Sequence, residues 1–186
     1  DLTGVEDAVM TTAAALVAAD GAQRDLDRTG TLPDRPEPNR TVTFFDAAGA
    51  IQASFDSLTT ASVRIQSTLD DQMSRDGFSA TVHRQSEMTV TGLAGKETQR
   101  TWNGTSGGTA TRSNTTEAGV TRSFTMTETE KVNNVVHSVD RAAHPWPLSG
   151  TIARTVHVVE QGPAGERTKD VTTVITFNGT AQPTFS

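Results

Sequence analysis

Four histidines, His83, His137, His144 and His157, are the side chains of this 186-residue chain best suited to hold a metal or move a proton. No cysteine stands beside them. Its absence removes thiolate metal sites, thiol nucleophiles and disulfide scaffolds together. No two of the histidines have the short spacing at which a helix turn or a hairpin brings two imidazoles to one ion. His83 and His157 fall on polar or mixed faces, and His144 sits in a loop before Pro145. His137 alternates with Val135 and Val139, surroundings that would amplify any nearby charge.

Asp70, Asp71 and Asp76 lack the alternating spacing of a calcium loop. The chain has no glycine-rich phosphate loop, no dinucleotide fingerprint and no G-x-S-x-G elbow for a nucleophilic serine. The expectation is a non-catalytic protein with no cofactor and no metal. Asn103, Asn114 and Asn178 each begin an N-glycosylation sequon, a pattern that arises by chance in a threonine-rich chain.

Chemistry of contact is more visible. Trp146 stands between Pro145 and Pro147, and an aromatic on a restricted backbone loses little entropy on docking. Pro33, Pro36 and Pro38 fall in the segment 22–40, where they deny both helix and ladder hydrogen bonds and favour an extended, solvated arm. These six residues are the expected partner contacts.

The elements that would carry them are mostly strands. Phe78 to Thr91, FSATVHRQSEMTVT, alternates a face of Phe78, Ala80, Val82, Met88 and Val90 with a wholly polar one. Residues two apart in a strand share a face, so this is half-buried antiparallel strand. After Arg40 the same reasoning yields ten strands: Thr41–Asp46, Ala50–Phe55, Thr60–Ser67, Phe78–Thr91, Lys96–Asn103, Thr109–Ser113, Val120–Thr129, Val132–Val139, Thr151–Glu160 and Asp170–Asn178. The segment Thr68–Gly77 reads as a loop or short helix. Which face of Val132–Val139 is dry stays open. Thr101–Thr105 and Thr176–Thr180 read as similar strand ends, with Asn-Gly supplying residues that accept positive φ.

Ahead of the strands, residues 3–20 are expected to form a helix. Thr3 and Glu6 have capping-box spacing, Val5, Val9 and Leu16 follow one face, and Gly21 ends it. The fold class is thus mainly β: one antiparallel meander of about ten strands, forming a curved sheet, half-barrel or barrel, with an N-terminal helix packed on it. One domain would comprise the helix at 3–20, the arm at 22–40 and the meander at 41–178.

A net charge of −6 with sixteen scattered Lys and Arg argues against a nucleic-acid footprint. No run approaches the roughly 20 apolar residues of a membrane helix. The chain begins at Asp1, not Met, and with its threonine-rich β composition this suggests a processed product of the periplasm, cell surface or medium. Threonine, with 32 copies, suits the solvated face of strands. The ranks Thr41/Thr43, Thr89/Thr91 and Thr125/Thr127/Thr129 resemble the ice-contacting faces of some β-helical antifreeze proteins, but no fixed repeat sets them in register, and a wet face accounts for them.

Two functions follow as expectations. The first is a scaffold, extrinsic subunit or binding module that meets another envelope protein or surface. The second is a carrier of an apolar ligand, since a meander of about ten strands resembles the lipocalins and periplasmic lipoprotein carriers in broad layout. Its inward set would be Val63, Ile65, Val82, Val90, Phe124, Met126, Val156, Val158, Ile175 and Phe177.

Overall fold

The structure is a computed structural model that describes residues 38–186. The expected helix at 3–20, Pro33, Pro36 and most of the arm lie outside the described residues. Pro38 is half-buried, and Asn39 and Arg40, expected in the arm, already belong to the first strand.

The strands are β1 (Asn39–Asp46), β2 (Ile51–Gln52), β3 (Thr60–Arg75), β4 (Phe78–Thr91), β5 (Gln99–Thr115), β6 (Thr121–Ser138), β7 (Ser149–Gly162), β8 (Gly165–Thr176) and β9 (Thr184–Phe185). They form one antiparallel sheet in the order β2-β1-β3-β4-β5-β6-β7-β8-β9, which does not close into a barrel. From β3 onward it is a meander. At its start β1 lies between β2 and β3, so one connection passes back across the end of the sheet.

Nine strands replace the expected ten because some expected breaks are continuous strand. Thr68–Arg75 extends β3, with Leu69, Asp71 and Met73 opposite Arg84, Val82 and Ala80. The turn is Asp76-Gly77 alone, and Gly77 takes a positive φ of 71° that glycine adopts without strain. Lys96–Asn103 and Thr109–Ser113 merge into β5, running through Gly107-Gly108, so Thr101–Thr105 lies inside a strand and ends nothing. Val120–Thr129 and Val132–Val139 merge into β6. Of Ala50–Phe55, only Ile51 and Gln52 pair.

β6 carries one extra residue. Trp102 pairs with Val135 and Gly104 with Val132 on the β5 side, while Asn133 pairs with Thr151 and Val136 with Ser149 on the β7 side. One residue on each neighbour, Asn103 on β5 and Gly150 on β7, therefore opposes two on β6, a bulge. Asn134 takes φ 48°, a conformation asparagine tolerates, and its amide donates to Asn103 Oδ1 at 2.8 Å. The bulge resolves which face of this strand is dry. It places Val132 and Val135 on one face despite their odd spacing, and both are buried.

Directly paired residues share a face, so the register sorts the whole sheet. One face carries Val63, Val90, Trp102, Val132 and Val135, buried near the end where the longer connections gather. The rest of the expected inward set is only half-buried. Towards the opposite end, with its tight turns, arginines lie over the rings of this face: Arg75 over Phe78 at 5.8 Å and Arg112 over Phe124 at 4.6 Å.

The outer edges are unequal. Among the described strands β9 covers only Ile175 and Thr176, leaving the edge of β8 from Gly165 to Thr173, with Glu166, Arg167, Lys169 and Asp170, beyond its reach.

Candidate functional site

The other face is the more distinctive. One rung across six strands reads Asp70, His83, Thr109, Thr127, His157, Asp170. It is a palindrome, with a carboxylate–imidazole pair at each end and two threonines between. His83 Nδ1 lies 2.5 Å from Asp70 Oδ1, and His157 Nδ1 lies 2.7 Å from Asp170 Oδ1. Each carboxylate fixes its ring, presenting Nε2 as the free nitrogen. Three strand spacings separate the two histidines, roughly 14 Å, too far for a shared ion.

The rungs on either side are rich in threonine. Thr81, Thr111 and Thr125 align on one, with the hydroxyls of Thr81 and Thr111 2.5 Å apart. Thr129, Thr155 and Thr172 align on the other, with Thr155 and Thr172 joined at 3.3 Å. All are exposed. Of the threonine ranks, Thr125/Thr127/Thr129 is set beside threonines of neighbouring strands by hairpin pairing and not by a sequence repeat.

Beneath this surface, on the apolar face, Glu128 is 6 % exposed and accepts from both Arg84 and Arg154, the latter at 2.5 Å. Arg84 comes from β4 and crosses β5 to reach it. It can do so because Gly108 lies between them, and a methyl there would stand 2.9 Å from the Arg84 Cγ. Glu130, beside this group, has its carboxyl pushed up, chiefly by burial.

His137 is separate from both. It faces Arg100 across β5 and β6, and its Nδ1 lies 2.5 Å from Nη1 of Arg141. Burial, then the charge of Arg141, lowers its pKa to about 4 from the ordinary 6.5. The folded ring therefore resists a proton that the unfolded chain accepts, so stability falls as pH drops from about 6.5 to about 4. His137→Gln is expected to flatten that part of the curve of melting temperature against pH. An unchanged acid slope would show that other groups govern it.

His144 lies in the β6–β7 connection with its amide bonded to the Asp140 carbonyl. Trp146, in the same connection, is 47 % exposed, and the Pro147 carbonyl accepts from the Gly179 amide at 2.9 Å. The connection is thus tied to the one between β8 and β9. Among the described residues no three His, Asp or Glu side chains gather as metal ligands. No helix among the described residues is long and apolar enough to cross a membrane.

The described residues thus form one open antiparallel sheet with one threonine-rich polar face. No protein-family model matches the chain, and neither a curated protein nor a solved structure matches it.

Proposed function

We propose that the protein is a non-catalytic contact module, exported to the cell envelope or surface, that meets its partner through the polar face of the sheet and the Trp146 loop. The observation that carries this is the register. It brings threonines and two histidine–aspartate pairs from six strands into one exposed surface of aligned rungs. Such a surface offers many directional hydrogen bonds on a backbone already ordered by its own ladders, so little entropy is lost on docking. Trp146, flanked by Pro145 and Pro147, adds an aromatic anchor.

The test is cross-linking in the native source followed by purification. A partner joined through the polar face or the Trp146 loop supports the contact role. Trp146→Ala is expected to weaken that partner's binding by about 2 kcal/mol, near thirtyfold, and to leave the melting temperature almost unchanged. Unchanged binding with unchanged stability would remove Trp146 from the interface.

A second reading, a carrier of an apolar ligand, draws on Val82, Phe124, Met126, Val156 and Val158, which share the other face and are only half-buried. Native mass spectrometry separates the two readings. A small adduct lost on denaturation favours the carrier, and a co-purifying subunit without one favours the contact module.

A further inference from the structure

The cluster around His137 consists almost wholly of hydrogen-bond donors. Arg100 stands opposite His137 on the apolar face, and Trp102 lies two residues further along β5 on that same face. Arg141 reaches the group from the β6–β7 connection. A guanidinium has only donors, so its 2.5 Å contact makes His137 Nδ1 the acceptor and leaves the ring hydrogen on Nε2, another donor.

Two of the donors are buried with no partner, Nε of Arg100 and Nε1 of Trp102. Trp102 is 5 % exposed. A buried N–H without a partner is a cost that folded proteins ordinarily avoid, so each such group needs an explanation. The two guanidiniums also oppose one another. Among the described residues the carboxylates in ion pairs are Asp70, Glu128 and Asp170, and none of them pairs with Arg100 or Arg141. Net positive charge, planar donor forks and an indole N–H, without a local acceptor beyond the imidazole, are complementary to an oxyanion.

We propose that the end of the sheet formed by Arg100, Trp102, His137 and Arg141 binds a small tetrahedral oxyanion of the phosphate class. The anion accepts from the guanidinium groups of Arg100 and Arg141 and from the indole N–H of Trp102, and His137 holds Arg141 in place. This site lies on the face opposite the threonine rungs, so it does not depend on the contact role proposed for them.

The indole N–H resonance of Trp102 reads the site directly, with Trp146→Phe removing the second indole signal. Inorganic phosphate is titrated against the full chain at neutral pH and constant ionic strength, held with sodium chloride. The expected result is a saturable shift with a Kd of about 1 mM or tighter. Arg141→Gln, on a connection and outside the sheet ladder, is expected to weaken binding by at least about tenfold without altering the melt. Arg100→Gln should do the same if it folds, and Arg141→Gln decides the matter if it does not. Glycerol 3-phosphate in a parallel arm distinguishes the sources: tighter binding than phosphate assigns the site to a phosphate ester, weaker binding to the free ion. No saturable shift, the same shift with chloride alone, or unchanged affinity in Arg141→Gln would overturn the proposal.

Discussion

Gly150→Ala is expected to destabilise the protein by about 3–5 kcal/mol, combining backbone strain with an overlap that cannot relax. Gly150 is the one residue of β7 that faces the bulge of β6, and its φ is 104°, a region that side chains rarely enter. An added Cβ would stand 2.2 Å from the carbonyl oxygen of Asn134 and 2.5 Å from the Cα of Val135. Both are backbone atoms of the strand that orders the core, so neither can rotate aside. Gly165→Ala is the control. Its φ is 103° but nothing lies within 4 Å of the new methyl, so it measures the strain alone, about 1–2 kcal/mol. Urea denaturation of the two variants gives the overlap by difference. Equal losses would show that the bulge yields.

Glu128→Ala is expected to cost about 3–5 kcal/mol, because it removes the buried carboxylate that both Arg84 and Arg154 bond and leaves only the neighbouring Glu130 to offset them. The loss comes from stranding the partners, not from the ion pairs as such. Arg84→Met, Glu128→Leu and Arg154→Met combined are therefore expected to recover most of it, since apolar side chains of similar volume need no solvation. Thermal melts of the single and triple variants make the comparison. A single variant within about 1 kcal/mol of the parent would mean that water solvates the guanidiniums freely.

β4 occupies the span that alternation marks, Phe78–Thr91. There the dry face is backed by the most buried side chains, so polarity and position agree. Alternation does not mark Thr68–Arg75, because this stretch of β3 is mostly exposed and little core behind it requires apolar residues on one face. Asp76-Gly77 was nonetheless a strong hairpin signal. Gly107-Gly108 resembled a break, whereas Gly108 is the gap that Arg84 crosses. The bulge was hidden because an added residue inverts alternation without changing composition.

The His157–Asp170 pair was legible in principle. Once Gly162 and Gly165 close a turn, each residue of β7 has a determined partner on β8, and 157 meets 170. His83–Asp70 follows the same arithmetic from Asp76-Gly77, but a hairpin placed as a loop conceals it. The cluster around His137 was not legible. It needs the bulge to set the register and a loop residue, Arg141, that no periodicity locates. Of the expected partner contacts, Trp146 lies at the surface, and Pro33 and Pro36 fall outside the described residues.

The edge of β8 that the other described strands leave uncovered has a bearing on symmetry. Two copies joined edge to edge in antiparallel fashion, about a two-fold axis normal to the sheet, must place some residue opposite its own twin. An axis at Glu166, Arg167, Lys169 or Asp170 sets that charge against itself. An axis at Thr168 sets Glu166 against Asp170 and Arg167 against Lys169. Every such dimer centred on this segment meets like charge with like charge, which opposes pairing. The order of these five residues thus disfavours a two-fold copy centred on them, whereas an axis at Val171 or Thr172 sets no like charges opposite one another.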